Sequence, residues 1–171
     1  GVDWKRKGMD KTIKIIKYLN DKGIDANLSI IGSTNKNKIY PNYIKQIGFL
    51  NKNIKKDHTK LINIISNSDL HILMTNKEAC GVVFAEVNSY GIFNITNKTG
   101  GVEGMIRNNF NGKLFKLSDS VNKIGDYIIN ILNNDKKFLQ LKKNSKNYYK
   151  KKISWKANSP KSQKILLQAI K

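Results

Sequence analysis

The sequence predicts an α/β domain of three layers, with a mostly parallel, Rossmann-like sheet covered by helices on both faces. Two patterns predict it. Short apolar runs of strand type alternate with segments whose apolar residues recur at helical spacing, which is the mark of β-α-β units and a buried parallel sheet. Glycines follow the strand runs, Gly32 and Gly48 at their ends and Gly81 in the turn that opens the next helix. In folds of this class ligands sit at those carboxyl ends.

At 171 residues the chain is long enough for one domain with a real core, and 39% hydrophobic residues make it globular rather than disordered. The formal net charge is +20, from 32 Lys and Arg against 12 Asp and Glu. Nearly all the cations are Lys, spread along the chain among abundant Asn and Ile. That reads as a compositional bias laid over solvated faces, with a selected polyanion-binding surface as the alternative. Cys80 is the only cysteine; it excludes an internal disulfide and fits a reducing compartment. No apolar run approaches the roughly 18 residues that span a bilayer, and no signal-peptide pattern opens the chain. A cytoplasmic protein is expected, or one held peripherally on the inner face of a membrane. The start at GVDWKRKG, with no strand before it, suggests a piece of a longer chain.

In order, a basic loop, Trp4 to Gly8, leads into a helix from about Met9 to Leu19, where Ile13, Ile16 and Leu19 keep a helical period and Gly23 caps the end. Asn27 to Ile31 reads as a strand closed by Gly32, and Ser33 to Pro41 as a loop. Tyr43 to Leu50 gives a short strand, IKQIGF, whose end from Gly48 to Asn51 can approach a ligand with its backbone. The next helix, about His58 to Ser66, turns Leu61, Ile62, Ile64 and Ile65 inward with Asp57 placed to cap it. Leu70 to Met74 is a strand; His71 inside it reads as a packed or edge residue, because no cluster with metal-ligand spacing accompanies it.

The stretch Glu78 to Glu86, EACGVVFAE, then sets a carboxylate, a small turn, an apolar helix start and a second carboxylate in succession, with Gly91 as the stop. Free backbone N–H groups at a helix start receive phosphate, and ionised carboxylates are strong acceptors for hydroxyls. Together they point to a nucleotide-sugar site. A short strand, Ile92 to Ile95, leads to a second glycine turn at Thr99 to Glu103, before another short helix; Asn111-Gly112 is a turn, and Lys113 to Phe115 the last strand. From about Ser118 the chain is helical: one helix through Val121, Ile124, Ile128 and Ile131, another from Phe138, and a third from Ser159 to Ile170. Lys142 to Lys152, with Tyr148 and Tyr149 among the lysines, reads as a solvated helix face with its tyrosines inward; RNA or an anionic membrane are the alternatives.

These residues resemble the C-terminal, donor-binding half of the GT-B retaining glycosyltransferases, specifically glycosyltransferase family 4. The resemblance rests on Glu78, Gly81-Val82-Val83 and Glu86. Around them stand Trp4 to Gly8, Ile31-Gly32, Gly48-Phe49-Leu50, Asp69-Leu70, Gly100 to Glu103 and Asn111-Gly112, in the family's order. It implies one half of a GT-B fold with a helical C-terminal segment: a single nucleotide-sugar-binding domain over residues 1–171, an α/β core to about 116 and helices from 117 on, with the N-terminal acceptor domain absent. It further implies Glu78 and Lys7 as catalytic residues, on the donor sugar's hydroxyls and the departing diphosphate. Val82 and Val83 receive phosphate, Glu86 holds the ribose, and Phe49 to Lys52 lie along the base. Arg6, Gly48, Phe49, Leu50, Cys80 and Gly81 complete the donor-binding set. The donor is a UDP-, GDP- or ADP-sugar, with no cofactor and no metal expected.

The parent would be a hexosyltransferase type enzyme of polysaccharide or glycolipid biosynthesis, acting on an acceptor glycan or glycolipid. Asp3 and Trp4 occupy the region where many members carry an arginine, and Met74-Thr75 replace a common Pro-Ser. A basic nucleic-acid-binding domain and a non-catalytic partner module are the competing readings; nucleic acid is the less expected partner.

Overall fold

A computed structural model describes residues 3–35 and 37–169. Helix α1 (Met9–Asp21) starts after Gly8 and buries Met9, Thr12, Ile15, Ile16 and Leu19 along one stripe. Gly23, in the left-handed region, then donates its N–H to the Asn20 carbonyl at 2.9 Å and ends the turn. Strands β1 (Leu28–Ile31) and β2 (Ile44–Gly48) pair in parallel, with a slip in register that sets Ile31 beside Gly48. Helix α2 (Lys55–Ser66) begins earlier than the expected His58, after Ile54. Asp57 is not its cap: the carboxylate reaches back to accept the Asn51 N–H at 3.0 Å and folds the loop below β2.

Strands β3 (Leu70–Leu73), β4 (Phe93–Asn97) and β5 (Gly112–Phe115) form a second parallel ladder in that order, with α3 (Val82–Ser89) crossing from β3 to β4 and a 3-10 turn (Gly100–Gly104) following β4. The turn expected at Asn111-Gly112 is present, with Asn111 as its last residue. The left-handed residue is Asn109, at φ 62°, while Gly112 opens β5 packed so closely on Asn94 and Ile106 that a Cβ there would meet each within 3.0 Å.

Among the described residues the parallel sheet comes as two ladders, β1–β2 and β3–β4–β5, flanked by helices in three layers. Phe93 and Ile95 of β4 enter a core made with Ile15, Ile16, Met74, Ile124 and Ile128. The polar residues of the same strand, Asn94, Thr96 and Asn97, are equally buried. Asn94 donates to the Phe84 carbonyl, Thr96 to that of Leu73, and Asn97 to those of Met74 and Thr75. Asn88 and Asn111 bond each other at 2.6 Å. Asparagine here is thus more than a solvated background: these side chains tie strand ends and turns together, since a buried amide is tolerated when it is bonded.

Helix α4 (Val121–Leu132), capped by Ser120, packs on α1, with Gly125 against Tyr18 and a 2.7 Å bond from the Tyr18 hydroxyl to Asp126. Helix α5 (Asp135–Tyr148), capped by Asn134, buries Leu141 and Ser145 and sets Tyr148 edge-on to Phe110. After a π turn (Tyr149–Ile153), α6 (Trp155–Ala169) begins ahead of the expected Ser159 and contains Pro160. The expected end at Ile170 lies outside the described residues. Trp155, Ile165, Leu166 and Leu167 of α6 are exposed. Among the described residues no helix is long and apolar enough to cross a membrane.

Candidate functional site

The chain beyond β3 is held from below and from the side before it reaches α3. Met74 and Thr75 are fully buried. The Thr75 hydroxyl donates to the carbonyls of Arg6 (3.1 Å) and Lys77 (3.0 Å), and Asn76 donates its N–H to the Arg6 carbonyl at 2.8 Å. The loop from Asp3 to Gly8 is thereby fastened to the end of β3. On the other side, Gly100 and Gly101 press on the turn: a Cβ at either would lie 1.9 Å from the Glu78 carbonyl oxygen or 2.0 Å from that of Ala79. Gly101 also donates its N–H to the Glu78 carbonyl at 3.1 Å. The second glycine turn is therefore a buttress for the first, and glycine is required because backbone meets backbone.

This clamp brings Lys7 to Glu78. Nζ and Oε2 are 2.5 Å apart, and each side chain is only 11% exposed. Gly81 then caps α3 in the left-handed region at φ 74°, where a Cβ would collide with the Phe84 ring at 2.5 Å. Phe84 donates its N–H to the Gly81 carbonyl, while the N–H groups of Val82 and Val83 stand at the helix start, where no intrahelical acceptor exists. About one turn on, Glu86 pairs with Lys52 Nζ at 2.5 Å, nearer the surface.

A cavity of about 410 Å³ joins these groups at the carboxyl ends of β1 to β3. Lys7, Glu78, Gly81, Val82, Val83 and Glu86 line it, together with Phe49 and Leu50. Lys52, expected only along the base, also lines it as the partner of Glu86. Three candidate residues do not reach the cavity wall. Arg6 is drawn aside by Asp3, at 3.3 Å, and by the Lys77 carbonyl. Gly48 turns the chain at φ 79° and accepts the Gly32 N–H at 2.8 Å, which places Phe49. Cys80 is exposed. Among the described residues no group of three or more His, Cys, Asp or Glu side chains gathers as metal ligands would.

His71 also borders the cavity. Its Nδ1 lies 2.7 Å from Asn94 Oδ1 and its ring meets Phe84 edge-on. Burial, partly offset by the Asn94 bond, lowers its pKa from 6.5 to about 4, so the ring is neutral at pH 7. The unfolded chain takes up the proton first, so stability is whole above pH 6.5 and falls as pH drops toward 4. By pH 5 the loss is up to about 2 kcal/mol. Urea midpoints at pH 7 and pH 5 should differ accordingly, and His71→Gln should flatten the difference. A variant with the wild-type pH dependence would assign the effect to another group.

The family model for glycosyl transferases group 1 matches residues 2–148. Several solved structures share the fold. HepE from Anabaena, solved in complex with UDP-glucose, superposes with a TM-score of 0.72 at 14% identity, over 96% of this chain and 46% of HepE. The C-terminal domain of a group 1 glycosyl transferase (LpcC) from Francisella tularensis gives 0.73 at 18%, over 91% of this chain and 84% of that domain. Sucrose-phosphate synthase from Thermosynechococcus elongatus gives 0.74 at 18%, over 97% and 43%. The chain thus spans less than half of HepE and of the synthase. No curated protein matches the chain.

Proposed function

The chain belongs to the glycosyl transferases group 1 family, and from that premise we propose that it is the donor-binding half of a retaining GT-B transferase of family 4. In this reading a second, acceptor-binding half lies elsewhere in a longer chain. The observation that carries the reading is the convergence of Lys7, Glu78, Glu86 and the start of α3 on one cavity. Each element meets one part of a nucleotide-diphosphate sugar. The diphosphate lies against the N–H groups of Val82 and Val83, the ribose hydroxyls donate to Glu86, and the base lies along Phe49 and Leu50. The sugar's hydroxyls donate to Glu78.

Negative charge grows on the diphosphate as the glycosidic bond breaks. Lys7, at the cavity wall, is placed to follow it, and fixed positive charge aimed at such a developing anion lowers the barrier. In this reading Lys7 and the α3 start supply the positive field without a metal. HepE holds UDP-glucose in its structure, which makes UDP the first nucleotide to try, ahead of GDP and ADP. A sugar acceptor in polysaccharide or glycolipid biosynthesis fits the family membership.

The test is a thermal-shift screen of the purified chain against UDP, GDP, ADP and their sugars, since a ligand bound only by the native state raises the midpoint. One nucleotide should give a saturable rise. Glu86→Ala should weaken its affinity about 10-fold to 100-fold, the worth of hydrogen bonds to a charged acceptor. A nucleotide bound equally well by the variant, or no response to any of them, would sink the proposal.

A further inference from the structure

Among the described residues, Lys7 and Lys52 are the lysines that line the cavity of about 410 Å³, and they are held in opposite ways. Lys7 and Glu78 are each 11% exposed. In the pair of Lys52 with Glu86 the exposures are 55% and 31%, so water already screens the attraction and little fixes the ammonium in place. The backbone beneath Lys52 is, by contrast, fixed. Asn51 donates its N–H to Asp57 at 3.0 Å, its side-chain oxygen accepts the Asn53 N–H at 3.0 Å, and its carbonyl accepts the Ile54 N–H at 3.0 Å. Lys52 therefore reaches from a rigid turn after β2 to a carboxylate on α3, on a side chain free to swing.

That ammonium stands where the ribose has to bond. A vicinal pair of hydroxyls uses both oxygens of one carboxylate, and Lys52 Nζ lies 2.5 Å from Glu86 Oε1. Once displaced, an ammonium has three donors and no acceptor of its own, so it requires a new anion. Glu86 lies about one turn beyond the N–H groups of Val82 and Val83, roughly 5 to 6 Å along the helix. Rotation of a flexible four-carbon side chain covers that span. In the donor reading, on which this inference rests, the anion found there is the diphosphate.

We propose that Lys52 is handed from Glu86 to the diphosphate as a nucleotide binds, and that this transfer makes the site prefer nucleoside diphosphates to nucleosides. A nucleoside takes Glu86 and gives Lys52 nothing, whereas the diphosphate supplies a charge-assisted bond worth about 10-fold to 100-fold in affinity. The role differs from that of Lys7, whose charge is called on as the sugar departs. Lys52 acts before any bond breaks, so its contribution falls on binding.

NMR titrations of the purified chain test this with three pairs of ligands: uridine and UDP, guanosine and GDP, adenosine and ADP. For the base that binds, the quantity read is the ratio of diphosphate affinity to nucleoside affinity. Lys52→Met keeps the length of the side chain and removes the charge. It should lower the ratio about 10-fold or more, with the diphosphate weakened and the nucleoside bound as well as before or better. Lys52→Arg should keep the ratio within about threefold, because a guanidinium presents the same charge to phosphate. Lys45→Met, at an exposed position of β2, removes the same charge outside the cavity and should leave the ratio unchanged. An equal loss for nucleoside and diphosphate in Lys52→Met would make Lys52 a support for Glu86 or the base, and would overturn the inference. An unchanged ratio, or one lowered as far by Lys45→Met, would overturn it too. Those results leave the donor site standing, whereas failure of every nucleotide to bind the wild-type chain removes both.

Discussion

Gly8→Ala is expected to destabilise the protein by about 3 kcal/mol or more, the sum of a left-handed backbone penalty near 1–2 and overpacking near 1–3, less a small gain in unfolded-state entropy. Gly8 has φ 64°, and a Cβ on it would lie 1.9 Å from the Met74 carbonyl oxygen and 2.7 Å from the carbonyl carbon. That carbonyl has little room to retreat. Met74 is fully buried, and its oxygen accepts the Asn97 amide at 3.1 Å. Gly104→Ala is the matched control, because a Cβ there meets nothing within 4 Å and the backbone is not left-handed. Urea midpoints compare the two directly. Equal midpoints would show that the loop before α1 yields freely, contrary to the clamp described above.

Lys7→Met is expected to lower kcat of the longer enzyme about 10²-fold to 10³-fold while changing KM for the donor far less. Methionine keeps the length of the side chain and removes the charge. The proposed partner of that charge is an anion that appears fully only as the sugar leaves, so its loss falls on the chemical step. Steady-state kinetics with varied donor separate the two constants, and a loss carried by KM alone would make Lys7 a ground-state anchor. The variant also leaves the Glu78 carboxylate at 11% exposure without its cation, which lowers stability by roughly 1–3 kcal/mol. Kinetics are therefore measured well below the variant's own midpoint.

Local structure was legible where one residue type can do only one job. Ile16 and Leu19 gave the stripe of α1, Gly81 marked the start of α3, and the apolar run at Leu70 gave β3. What escaped was contact between distant residues. Lys7 and Glu78 are far apart in sequence; the strand–helix alternation set their loops at one sheet edge, and the family resemblance gave each a role there, but neither showed that the two side chains pair. Lys52 carried no signal of its own in a chain with lysine nearly everywhere, so its pairing with Glu86 could not be read. The same background hid Asn88, Asn94, Asn97 and Asn111, which are fully buried and bonded. Arg6 is a different case. Asp3 stands three residues before it, within reach of its guanidinium, and that spacing was visible all along. The periods that reveal strands say nothing of their neighbours, so the division of the described strands into two ladders could not be anticipated.

The two lysine–carboxylate pairs give the cleft a property that the chain as a whole lacks. The protein carries a formal charge of +20, and its outer surface attracts any polyanion until salt screens it. Inside the cleft Lys7 and Glu78 already neutralise each other, and Lys52 and Glu86 do the same. An entering molecule therefore has to act as an ion exchanger. A bare phosphate that captures Lys7 strands Glu78 without a counter-ion, and a neutral sugar that bonds Glu78 offers Lys7 nothing in return. In the proposed reading, a molecule that joins an anion to a set of hydroxyls replaces both halves of a pair at once, so the two ion pairs would themselves select against simple anions.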